Sequence, residues 1–108
     1  MNIDHSALRR EISARSSNSW VRCKKKLTVE TDQSAIAIKS LFHSFRIPMF
    51  GIQIAKYGRI VDYTEANDLW YNDIKLLLLE DRSWNHVYDV YKGRHNALMT
   101  EFRKVAHK

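Results

Sequence analysis

Between Ala35 and Ile52 the apolar positions Ala35, Ile38, Phe42, Phe45, Met49 and Ile52 recur at three- and four-residue steps, while Lys39, His43, Arg46 and Gln53 fall on a second stripe of the same helix. One face packs and the other is free to bind. Thr31, Asp32 or Ser34 can cap this helix, and Gly58, suited to the left-handed conformation, ends it after Tyr57. Pro48 lies inside. It deletes one backbone hydrogen bond and clashes with the preceding turn, which predicts a kink between Ser44 and Pro48 and carbonyls near Ser44 that need another partner. Gly51 is a second weak point in the helix.

Similar patterning runs through the rest of the chain. Asp4 or Ser6 can cap a first helix with Ala7, Leu8 and Ile12 inward, and Ser16, Ser17 and Asn18 then break it, because their side chains compete for backbone hydrogen bonds. A second helix follows from Ser19, with Trp20, Val21, Lys24 and Leu27 at helical spacing. After the long helix and the connector Arg59-Ile60-Val61, Asp62 and Glu65 form a capping box that predicts a fourth helix through Ala66, Leu69, Trp70 and Ile74. The run Leu76 to Leu79 has no polar face and is assigned to the core. Ser83 can cap a last helix in which Val87, Val90, Tyr91, Leu98, Phe102 and Val105 recur at helical steps. The expected fold is all-α: a single compact bundle of about five helices, with the proline-kinked helix at its centre.

Composition supports this assignment. The 108 residues suffice for one core and not for two domains, and three glycines and one proline leave little material for the tight turns of an all-β fold. No apolar run reaches the roughly 20 residues that span a bilayer, and Met1 to Arg15 lacks the apolar middle of a secretory signal, so a cytoplasmic protein is expected. Cys23 is the single cysteine, without a neighbouring Cys or His at metal-ligand spacing, and reads as a reduced, inert thiol. Neither a cofactor nor a metal site is expected.

The formal charge is +6 and it is segregated. Residues 1–61 carry 11 basic and 4 acidic side chains, residues 62–89 carry 2 and 7, and residues 90–108 carry 5 and 1. Segregation of this kind suits a phosphate backbone, an acidic partner protein, or pairing between the chain's own segments. Lys39, His43 and Arg46 offer an ammonium, an imidazole and a forked guanidinium to an anion within three turns. If they are instead internal, Asp68, Asp73 or Asp89 is the expected counter-charge. Arg22, Lys24, Lys25 and Lys26 form a second basic cluster, which reads first as a solvated face and second as a nucleic-acid contact. Trp20, Trp70, Tyr71, Trp84, Tyr88 and Tyr91 are assigned to the core first and to base stacking second.

Lys39-x-x-x-His43-x-x-Arg46, the segment Gly51 to Gly58, the acidic helix after it and Trp84-Asn-His-Val-Tyr-Asp-Val before a terminal helix together resemble the C-terminal helical region of nucleotidyltransferases of the DNA polymerase β superfamily, particularly the RNA-repair-associated type. The resemblance covers about Ser19 to Lys104. It implies a helical region that helps hold nucleotide or nucleic acid, with Lys39, His43 and Arg46 on its binding helix. The catalytic part is missing: the chain has no Gly-Ser dipeptide and no Asp-x-Asp to bind the two metal ions of nucleotidyl transfer. A non-catalytic accessory module is therefore the first expectation, with a nucleotide, a nucleic acid or another anion as partner and a separate catalytic subunit as one possible context.

Two alternatives follow from the same residues. One is a small phage- or mobile-element-encoded inhibitor of a host nucleic-acid-directed defence such as CRISPR, acting by protein–protein contact. The other is a HEPN-like ribonuclease, since Arg82-Ser-Trp-Asn-His86 resembles that class's late-helix Arg/His pair but has three intervening residues, one too few. Such a pair still shares a helix face and can meet phosphate across a homodimer.

Overall fold

The computed structural model describes residues 4–78 and 83–106. Among these the chain forms four α-helices: α1 (His5–Thr28), α2 (Ser34–Tyr57), α3 (Asn67–Asn72) and α4 (Trp84–Val105), with short 3-10 segments at Thr31–Gln33 and Ile74–Leu78. The described residues are all-helical, as the patterning predicted. The helix count differs from five because the expected break at Ser16 to Asn18 does not occur.

That difference has a local cause. Asp4 caps α1 by accepting from the Ala7 amide at 3.1 Å, and the helix continues to Thr28. Ser16 does not turn its hydroxyl on its own backbone. It is fully buried and donates instead to the Ser44 carbonyl of α2 at 2.7 Å. A serine whose hydroxyl is satisfied across an interface no longer competes with its own helix, and its small side chain lets the two helices approach.

Helix α2 is assigned without interruption through Pro48, which is itself buried. Proline has no N–H to offer the Ser44 carbonyl four residues earlier, so that acceptor is free for the hydroxyl of Ser16 and for Nε2 of His95, 3.0 Å away on α4. Gly58 ends the helix at φ 76°, and its amide donates to the Ile54 carbonyl at 2.8 Å.

The segment between α2 and α3 is held by Gln53. Its Oε1 accepts from the Val61 and Asp62 amides, both at 2.8 Å, and its Nε2 donates to the Asp62 carbonyl at 2.9 Å and to Glu65 Oε1 at 3.1 Å. The predicted capping box therefore does not form. Gln53 has taken the Asp62 amide that Glu65 would have capped, Asp62 turns to the Thr64 amide and hydroxyl, and the helix starts later, at Asn67.

The core has two parts. Trp20 and Cys23 from α1, Ile38, Leu41 and Phe45 from α2, Ile74 and Leu77, and Val87 and Tyr91 from α4 make the larger. Ile12, Met99, Phe102 and Ala106 make the smaller. Of the leucine run, Leu77 is buried and Leu76 is exposed; Leu79 and the Leu78 side chain lie outside what is described. No helix among the described residues is long and apolar enough to cross a membrane.

Candidate anion-binding ridge

Helix α2 carries Lys39 and His43 to solvent and leaves Arg46 half-exposed on the flank that does not pack. These are three of the four residues of the polar stripe. The fourth, Gln53, is only 4 % exposed, and its amide is fully used in holding the loop after α2, so it stands apart from the exposed cations. Burial was not readable from its stripe position alone, because Gly58 folds the following segment back over it.

Helix α1 supplies what the stripe lacked. His43 has its pKa lowered from 6.5, first by partial burial and then by the positive charges of Arg46, Arg22 and Lys39. Arg22, on the neighbouring antiparallel turn, thus belongs to the same electrostatic group. None of Arg22, Lys39, His43 and Arg46 has a carboxylate within ion-pair distance among the described residues. The ridge is backed by rings: Arg46 lies over Phe50 at 4.9 Å, Phe50 meets the exposed Tyr63, and Phe42 contacts both His43 and Trp70.

Of the three acids expected as internal counter-charges, Asp73 is committed elsewhere. Asp73 accepts from the Tyr91 hydroxyl at 2.5 Å and from Arg94 at 2.6 Å, tying the acidic segment to α4. Burial alone would raise its pKa, but the bonds from Arg94 and Tyr91 outweigh it and hold the carboxyl below its ordinary range. Asp68 and Asp89 are exposed and form no ion pair among the described residues.

The second basic cluster divides. Arg22 joins the ridge, Lys24 lies over the Trp84 ring at 5.9 Å, Lys25 points to solvent, and Lys26 is held by Gln33 and Glu30 at the α1 corner. Of the Arg82/His86 pair, Arg82 lies outside the described residues; His86 is half-buried in the first turn of α4, with its amide bound to Ser83 Oγ at 3.3 Å. Cys23 is fully buried and its thiol pKa is pushed up to about 12, which suits an inert side chain. Among the described residues no three His, Cys, Asp or Glu side chains gather where they could hold a metal ion.

One polar residue of structural consequence escaped the sequence reading. His95 sits 6 % exposed at the meeting point of three helices, stacked on Trp20 and edge-on to Phe45. Its position was a signal: it falls on the stripe Val87, Tyr91, Met99, Phe102. Ser16 Oγ lies 2.7 Å from Nε2 while giving its own proton to the Ser44 carbonyl, and Nε2 also faces that carbonyl, so Nε2 carries the hydrogen. Burial lowers the His95 pKa from 6.5, the bond to Ser44 opposes this, and Lys92 and Arg103 lower it further.

The sign for stability follows. His95 and His43 both bind protons more weakly folded than unfolded, so stability is full above about pH 6.5 and falls as pH drops below it, because the unfolded chain takes up the protons. Thermal unfolding across this range is expected to show a lower Tm on the acid side. His95→Gln, which does not titrate, should flatten that fall; an unchanged acid profile in the variant would remove the assignment of His95 as a contributor. Comparison with protein-family models, with curated proteins and with solved structures finds no match to the chain.

Proposed function

We propose that the protein is a non-catalytic helical module that binds a phosphate-bearing ligand, a nucleotide or nucleic acid, across the ridge formed by Arg22, Lys39, His43 and Arg46, in the manner of the accessory region of nucleotidyltransferases. The carrying observation is the set of exposed and half-exposed cations from two helices that have no carboxylate partner among the described residues. Like charges gathered at a surface repel one another, and an anion bound across them relieves that repulsion. Arginine offers a fork to phosphate oxygens, lysine a point charge, and His43 gains a proton where an anion raises its pKa.

Binding should therefore weaken with salt and strengthen as pH falls toward the lowered His43 pKa, since complex formation takes up a proton on His43. Titration of labelled duplex RNA, duplex DNA and ATP at two salt concentrations tests this. Lys39→Ala with Arg46→Ala is expected to lose about tenfold in affinity and to reduce the salt slope on a duplex by about 1.8, two contacts at roughly 0.9 each. His43→Gln should remove the acid-side gain. If none of the three probes binds in a salt-dependent way, or the double variant binds as well as the parent, the reading fails. Tight capture of one protein partner, untouched by the double variant, would point instead to an inhibitor working by protein–protein contact.

A further inference from the structure

Helices α1 and α4 leave a groove between them on the flank of α1 away from the ridge. It encloses about 450 Å³ over Trp20 and Met99 and is walled by Ser17 and Val21 on one side and Lys92, Asn96 and Thr100 on the other. Arg103 closes one end, and the same residue also lines a second cleft of about 360 Å³ with Ser6, Arg9, Arg10 and Ser13. The two hollows follow one another along α1 as a broken line, whose lining residues on that helix, Ser6 to Val21, span about 22 Å at roughly 1.5 Å per residue. Every charged residue in their walls is a cation, namely Arg9, Arg10, Lys92 and Arg103, and none of them has an ion-pair partner among the described residues.

Aromatic rings stand at the other end. Lys92 lies over Trp20 at 5.3 Å, Trp20 meets Trp84 edge-on at 5.4 Å, and Trp84 meets Tyr88, which is 45 % exposed one turn before Lys92. Lys24 rides over Trp84 from α1. A line of cations with serine and asparagine donors beside it, and with the exposed Tyr88 ring and the half-buried Trp84 at one end, suits an extended phosphodiester strand, whose charges need the cations and whose bases need the π faces. An acidic peptide would use the cations and the Ser and Asn donors but would engage the rings only where it carried rings of its own, whereas every nucleotide brings one.

We propose that the α1/α4 groove is a binding site for single-stranded nucleic acid, distinct from the ridge on α2. Phosphates lie along Lys92, Arg103, Arg9 and Arg10, and a base stacks at Tyr88 and Trp84.

Fluorescence anisotropy with a labelled oligothymidylate of about ten residues tests it on the full chain. Lys92→Ala with Arg103→Ala is expected to lose about tenfold in affinity and to reduce the single-strand salt slope by about 1.4, two contacts at roughly 0.7 each. Tyr88→Ala should lower affinity with no change in that slope. Lys56→Ala with Lys104→Ala, two exposed cations outside the groove, is the charge-matched control and should stay near the parent value; circular dichroism verifies that each variant is folded. An equal loss in the control, parental affinity in the groove variant, or binding of an acidic peptide but not of the oligonucleotide each overturns the proposal. Lys39→Ala with Arg46→Ala separates it from the ridge, since loss of the ridge is expected to leave oligothymidylate binding in place.

Discussion

His95→Ala is expected to destabilise the protein by about 2–4 kcal/mol, read as a shift of the urea or thermal unfolding midpoint. The imidazole fills the space between Trp20 and Phe45, with ring centres 5.1 and 5.3 Å away, and its Nε2 hydrogen is shared between the Ser44 carbonyl and Ser16 Oγ. Alanine removes the packing and the donor together. Ser16→Ala should cost less, about 1–2 kcal/mol, because His95 still serves the carbonyl. The two effects should not add: two donors share one carbonyl acceptor, so a coupling energy on the order of 1 kcal/mol is expected from the double variant. Additive losses would mean that the three groups act independently and that the packing of the ring alone explains its burial.

The second large effect concerns Gly51 and Phe102. Phe102→Ala should cost about 3–5 kcal/mol, since the ring is fully buried in the smaller core with Ile12 and Met99. Gly51 is where α2 passes beneath that ring. A Cβ added there would lie 2.9 Å from Phe102 Cε1 and 3.1 Å from two carbons of Ile12, closer than packed atoms tolerate. Gly51→Ala in the parent chain is therefore expected to destabilise by about 1–3 kcal/mol, despite the roughly 1 kcal/mol by which alanine favours a helix over glycine. In the Phe102→Ala background the obstruction is gone and Ile12 has room to shift, so the same substitution should become stabilising by about 1 kcal/mol. The reversal of sign is the test. Gly51→Ala that is harmless in the parent would show that the two helices yield at this crossing.

Both effects rest on contacts between helices, at His95, which the patterning left unassigned, and at Gly51. Gly51 reads in sequence as a weak point in a helix, and propensity alone favours replacing it; the cross-helix approach of Phe102 makes it a packing requirement. Pro48 leaves the Ser44 carbonyl without its helical partner, and that much follows from the sequence. Which groups answer the carbonyl depends on residues 28 positions earlier and 51 later. The long α2 helix, its end at Gly58 and the caps Asp4 and Ser83 were legible because each depends on neighbours within a few residues. The stripes were legible only in part: of the predicted α2 face Ile38 and Phe45 are buried, Ala35 is exposed, and the face that packs runs instead through Ala37, Leu41, Ser44, Pro48 and Gly51, while α4 buries Val87, Tyr91 and Phe102 as expected but leaves Val90 exposed. The acidic segment was the weakest reading, since Gln53 competes for the same backbone groups as the predicted capping box.

The same division holds for the candidate site. Local spacing determined that Lys39, His43 and Arg46 share one face of a helix, because helical periodicity is a property of the chain alone. Only the tertiary structure decided that Arg22 joins them, that Gln53 is sealed under the next loop, that Asp73 is spent on Tyr91 and Arg94, and that a groove bordered by Lys92 and Arg103 opens between α1 and α4. Each of these is a choice of partner between residues distant in sequence. Electrostatic and packing complementarity makes that choice after the helices have formed.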